Sequence, residues 1–170
     1  IEQTYDLYTK HLDISASGGV LGMLAISDSK IFFSSYKALY LVDQNNNLRS
    51  QKIKLPHNIR GGNLSQINDE VWMAGYDGTI SRFDKNGILI DNKKILNHGI
   101  NNIICDKNQT IWVSSGSIVY QMHNDKIKPY HLNVNTVTSL FVDSHNKVFV
   151  GCLASGLKLL EYDRKADRFK

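Results

Sequence analysis

A short strand returns four times along this chain: KIFFSS from Lys30, EVWMAG from Glu70, TIWVSS from Thr110 and KVFVGC from Lys147. The first apolar residues of these strands are Ile31, Val71, Ile111 and Val148, at spacings of 40, 40 and 37 residues. A fixed period of this length marks a repeat architecture, in which each unit is one supersecondary structure that cannot bury its apolar face alone. The chain must therefore stack four like units.

The neighbours of each anchor repeat as well. Upstream lie LGMLAIS (from Leu21), GNLSQIN (from Gly62), INNIICD (from Ile100) and VTSLFVD (from Val137). Short polar turns at Asp28, Asn68, Asp106 and Asp143 join them to the anchors. Asn, Asp and Ser favour such turns because they bond their own backbone and tolerate unusual dihedrals, so each unit opens with a β-hairpin. Downstream come third strands, ALYLVD, TISRFD, SIVYQM and GLKLLEYD, and then more polar fourth strands such as LRSQKIKL, ILIDNKKIL and KIKPYHL. The lysines of the fourth strands suit an outer edge.

Four antiparallel strands in about 40 residues make one blade of a β-propeller. The expected fold is all-β: a β-propeller with four recognisable four-stranded antiparallel blades, near 17–58, 59–98, 99–136 and 137–170, in a single region spanning 1–170. Helical repeats are excluded because apolar residues do not recur at three and four and turn signals interrupt each run. A β-sandwich would explain short strands but not the matched period. Residues 1–16, with QTYDLYTKHL, read as a leading outer strand. That strand either closes a small four-bladed ring, which would remove an aggregation-prone edge, or belongs to a cut edge of a larger ring. The expectation carried forward is part of a larger ring.

Composition excludes several classes. The 170 residues are 42% hydrophobic and 21% charged, as for a packed globular domain. The net charge of +4 is spread along the chain with no basic run, which argues against a nucleic-acid partner. No apolar run approaches the roughly 20 residues of a membrane helix, so any membrane attachment is expected only through a parent protein. Ile1 is followed by Glu2 and a polar stretch, which is not a leader pattern. Cys105 and Cys152 lack metal-ligand spacing, and whether they approach closely enough for a disulfide is left open.

Two stretches, INNIICDKNQTIWVSSGSIVYQMH and VTSLFVDSHNKVFVGCLASGLKLLEYDRKADRF, resemble the two-component-regulator propeller repeat. The second matches its pattern at Asp143, Val148-Phe149-Val150, Gly151, Gly156-Leu157 and Tyr162-Asp163, and the first at Asp106 and Ile111-Trp112-Val113. Phe149 stands where the repeat has Trp and Cys152 where it has Thr, and the first unit lacks the glycine. Lactonase-like and lyase-like propeller repeats share the apolar-Trp-apolar strand. The resemblance implies a periplasmic or otherwise extracytoplasmic sensor domain, the input module of a bacterial histidine kinase or diguanylate-cyclase-type protein, with no catalytic residues.

Residue by residue, the bland readings are favoured. Trp72 and Trp112 occupy equivalent positions also held by Phe32 and Phe149, as blade-to-blade packing requires. Asp106 and Asp143 read as turn residues, since neither lies in a calcium-loop spacing. No GxSxG elbow and no paired histidines appear, so no catalytic group, metal or cofactor is expected. The candidates for recognition are the loops between second and third strands and those joining successive blades, which share one rim of the channel. They offer Tyr36, Arg60, Tyr76, Asp77, His98 and Asn135 to a small polar ligand or glycan. A flat face could instead receive a protein partner or the remainder of a parent chain. A lactonase- or lyase-type enzyme is the third reading.

Overall fold

The computed structural model of the chain describes residues 19–43, 45, 49–53, 55, 60–124, 126–153 and 157–170. It consists of four four-stranded antiparallel sheets, each in simple sequential order. The first contains β1 (Val20–Ala25), β2 (Lys30–Ser35), β3 (Leu39–Asp43) and β4 (Arg49–Ile53). The second contains β5 (Gly62–Ile67), β6 (Glu70–Gly75), β7 (Thr79–Phe83) and β8 (Leu89–Lys94). The third contains β9 (Asn102–Cys105), β10 (Ile111–Ser115), β11 (Ile118–His123) and β12 (Lys126–His131), and the fourth β13 (Thr136–Val142), β14 (Val148–Leu153), β15 (Leu157–Asp163) and β16 (Arg168–Phe169). The sheets are arranged as the blades of a β-propeller, as the period predicts. The leading strand expected within 1–16 lies outside the described residues.

The first strand of each blade lies innermost: β1 neighbours β5, β5 neighbours β9 and β9 neighbours β13. Among the described residues, no comparable contact joins β13 back to β1. The outer strands are the exposed ones; every residue of β8 faces solvent, as do all of β12 except Tyr130. Pro129 sits in β12 opposite Tyr120, and an outer edge tolerates its missing N–H.

The core consists of three apolar clusters, one in each wedge between consecutive blades. Phe32, Leu39, Leu41 and Ile53 of the first blade meet Leu64, Val71, Met73 and Phe83 of the second. Ala74 and Ile80 meet Ile100, Ile103, Val113 and Tyr120 across the next wedge. Trp112, Val119 and Tyr130 meet Val137, Val148, Val150 and Tyr162 across the third. Strand alternation explains the pattern: successive residues of each second strand point to opposite faces, so each blade buries one set behind it and one ahead.

The four equivalent aromatics do not share one environment. Phe32 and Trp112 are fully buried, as expected, whereas Trp72 and Phe149 are only half-buried. For Phe149 the reason is topological. Its face of the fourth blade has no following sheet among the described residues, and its neighbours Phe141 (61% exposed) and Leu159 (69%) are open to solvent. For Trp72 the reason lies in the wedge itself.

Candidate functional site

Small residues close the second strands at the rim: Ser34-Ser35, Ala74-Gly75, Ser114-Ser115 and Gly151-Cys152. They let the connecting chain come close. A Cβ on Gly61, in the connection from the first blade, would lie 1.9 Å from the Ser35 carbonyl oxygen, and one on Gly62 would lie 1.9 Å from that of Ala74 in its own blade. The rim is then laced by backbone bonds between each second-to-third loop and the connection to the next blade. Gly61 N–H donates to the Tyr36 carbonyl (3.1 Å), Ile100 N–H to Gly75 (3.0 Å) and Val137 N–H to Gly116 (2.7 Å), while Asn135 N–H ties the last connection to Leu153 of the blade it enters (2.7 Å). These bonds satisfy loop groups that a buried rim would otherwise leave unpaired.

The six expected recognition residues fall on this rim in three groups. Tyr36 and Arg60 meet directly, with the guanidinium 5.1 Å from the ring centroid, a cation–π distance. Tyr76 is exposed at the tip of the second blade's loop, beside the Gly99 backbone. Exposed His98 places Nε2 3.2 Å from the Tyr120 hydroxyl, whose phenol is pushed up by burial. Asp77 is committed to its own turn: it accepts from the Thr79 N–H (3.1 Å) and the Thr79 hydroxyl (2.9 Å). Asn135 stands one connection further along, beside the fourth blade. The rim thus presents two exposed tyrosines, a stacked arginine, a histidine and an asparagine.

The turn aspartates behave as the sequence suggests. Asp143 accepts from the N–H groups of His145 (2.9 Å) and Lys147 (2.8 Å), and Asp106 from those of Asn108 (2.9 Å) and Thr110 (3.1 Å). Asp106 does more, and sequence reasoning missed it. Its fully buried carboxylate also accepts from the Trp112 indole N–H (3.1 Å) and from Arg164 of the fourth blade (2.8 Å). Burial opposes ionisation there, but Arg164, Trp112 and the two backbone N–H groups together hold the carboxyl below its usual range. The signal was the pairing of a turn Asp with a Trp six residues on; the arginine, 58 residues away, carried none.

Both cysteines are free thiols, Cys152 buried and Cys105 half-buried, with burial pushing the Cys105 thiol up. Among the described residues, no three His, Cys, Asp or Glu side chains converge as metal ligands would, and no helix is long and apolar enough to cross a membrane.

No protein-family model matches the sequence, and no curated protein matches it. Solved structures do. The WD40 β-propeller domain of Doa1 aligns with a TM-score of 0.74 at 18% identity, over 88% of this chain and 53% of that one. The virginiamycin B lyase of Staphylococcus aureus aligns with a TM-score of 0.65 at 19% identity, over 85% and 55%. The extracellular domain assigned to a one component system of Bacteroides thetaiotaomicron aligns with a TM-score of 0.70 at 18% identity, over 87% of this chain and 23% of that chain. The chain therefore spans about half the length of the first two and a smaller share of the third. At these identities the likeness shows a shared propeller fold.

Proposed function

We propose that the chain is a non-enzymatic recognition region of an extracytoplasmic sensor propeller. It binds a small polar ligand, such as an oligosaccharide, at the rim that carries Tyr36, Arg60, Tyr76 and His98. The observation that carries this reading is the run of exposed aromatic and hydrogen-bonding side chains along one laced rim, with Tyr36 36% and Tyr76 40% exposed. Exposed rings flanked by polar groups suit sugars, whose apolar faces stack while their hydroxyls bond outward. The resemblance to the two-component-regulator repeat and the fold shared with a one component system's extracellular domain point the same way.

A second reading is favoured by the apolar face of the fourth blade, which no sheet covers among the described residues. Phe149, Phe141 and Leu159 there match the positions by which earlier blades bury the next, so this face receives further blades of a larger ring. The ring would then dock as a unit on a partner domain.

Calorimetric titration of the intact parent protein against a panel of oligosaccharides and polar metabolites tests the rim. A binder whose affinity falls at least tenfold in Tyr36→Ala or Tyr76→Ala is the expected result. Silence across the panel, or binding that ignores both substitutions, would refute the rim as the site.

A further inference from the structure

Two of the three wedges between the described blades are closed by the same two devices, and the remaining one lacks both. Between the first and second blades, Phe83 is fully buried against Phe32. The turn spanning 84–88 also folds over the wedge: a Cβ on Gly87 would lie 2.4 Å from Ile53 Cδ1, and Lys30 Nζ donates to Asn86 Oδ1 at 2.9 Å. Between the third and fourth blades, Tyr162 stands at the equivalent place, 4.7 Å from Trp112 between ring centroids. The turn spanning 164–167 covers that wedge too, with Asp167 accepting from the hydroxyls of Tyr130 (2.5 Å) and Tyr162 (2.7 Å).

Between the second and third blades the equivalent residue is Met122, a thinner side chain. The third-to-fourth hairpin is also shorter, because His123 pairs directly with Lys126. Neither plug reaches across. Trp72 is left only half-buried, and a cavity of about 420 Å³ opens in the wedge. Trp72, Ile80, Ile111 and Met122 supply its apolar wall, and Arg82 and Lys94 stand at its rim.

The wall is fixed before any ligand arrives. Glu70 grips Arg82 through two bonds of 2.8 Å and accepts from the Trp72 indole N–H at 3.0 Å, while the Arg82 guanidinium lies 5.1 Å over the Trp72 ring. The volume lies within the range of about 300–1,000 Å³ usual for small-molecule sites, at its lower end. Arg82, Lys93 and Lys94 line the opening; Glu70 and Asp91 (3.7 Å) both face Arg82, so Lys94 is the rim cation that faces no carboxylate among the described residues.

We infer that the open wedge between the second and third blades is a binding site for a small amphipathic anion. A ring or branched apolar group enters beside Trp72 and Met122, and a carboxylate meets the Lys94 ammonium at the rim. A free aromatic carboxylate and the C-terminal residue of a peptide share this chemistry.

The chain has two tryptophans, Trp72 in the wedge and Trp112 buried elsewhere, so their indole N–H resonances report site and control at once. The ¹⁵N-labelled chain is titrated with 3-phenylpropionate, its neutral amide, and N-acetyl-diglycyl-phenylalanine. A saturable shift of Trp72 with Trp112 unmoved is expected, with the amide about tenfold weaker, as loss of a charge-assisted contact implies. Tighter binding of the peptide would assign the site to a protein terminus, and tighter binding of phenylpropionate to a metabolite. Met122→Phe, which refills the wedge, abolishes the shift. Ile127→Glu, an exposed rim change that leaves the core intact, weakens it at least threefold and serves if the first variant misfolds. No Trp72 shift at millimolar anion, equal shifts of both indoles, an amide as tight as the acid, or indifference to both substitutions would each overturn the proposal.

Discussion

Replacing Asp106 by Asn changes almost no volume and removes one charge, so it isolates what the buried carboxylate does. The backbone bonds from Asn108 and Thr110 survive on the remaining oxygen. The other position becomes an NH₂ facing two donors, the Trp112 indole N–H and Arg164. The charge-assisted bond to Arg164 is worth about 2 kcal/mol, and a buried indole N–H left without an acceptor costs a further 1 kcal/mol or so, giving about 3 kcal/mol in all. With a urea dependence of about 2 kcal/mol per molar, the unfolding midpoint falls by about 1.5 M. Tryptophan fluorescence follows the transition, since Trp112 loses its partner directly. Arg164→Ala supplies the internal check: it costs about 2 kcal/mol in the parent sequence and close to nothing beside Asp106→Asn. A midpoint shift below about 0.3 M, which is about 0.6 kcal/mol at that slope, would refute the role assigned to the carboxylate, as would an equal cost of Arg164→Ala in both backgrounds.

Trp112→Ala removes the largest fully buried side chain of the third wedge and costs about 4 kcal/mol, whereas Phe141→Ser and Leu159→Ser, on the apolar face of the fourth blade, each stay within about 0.5 kcal/mol; equal losses in urea melts would contradict the assignment of faces. Gly62→Ala drives a methyl into the Ala74 carbonyl and costs about 2 kcal/mol or more, so an unchanged melting temperature would dismiss the close rim packing. Acid weakens the fold in a defined window. Asp84, Asp106, Asp143, Asp163 and Asp167 all titrate below their ordinary range, Asp163 at about 2, where the Lys170 ammonium and nearby backbone N–H groups hold its carboxylate. Depressed folded values mean that their contribution is complete above the unfolded carboxylate value of about 4 and is lost as pH falls through the folded values. Urea midpoints measured from pH 7 to pH 2.5 should therefore hold level to about pH 5 and then decline; a level midpoint down to pH 3 would count against this linkage.

The blade architecture was legible in the sequence because it is written in local, repeated terms. Alternation fixes which residues of each strand share a face, turn residues such as Asp106 and Asp143 fix where strands reverse, and the period near 40 fixes the unit. The position of the candidate residues was legible in the same way, since loop position alone placed Tyr36, Arg60, Tyr76 and His98 on one side of the blades. What the sequence could not display was the meeting of distant segments. Asp106 and Arg164 are ordinary turn residues until two blades bring them within 2.8 Å. Trp72 and Trp112 look equivalent in the repeat, yet one is only half-buried and the other sealed. The difference is made by Met122 and a short hairpin in the next blade, against Tyr162 and a longer turn. The sequence by itself determined the repeating unit, because strand and turn preferences act between near neighbours. Only the tertiary structure decided which wedges close, because each is shaped by side chains that reach it from two different blades.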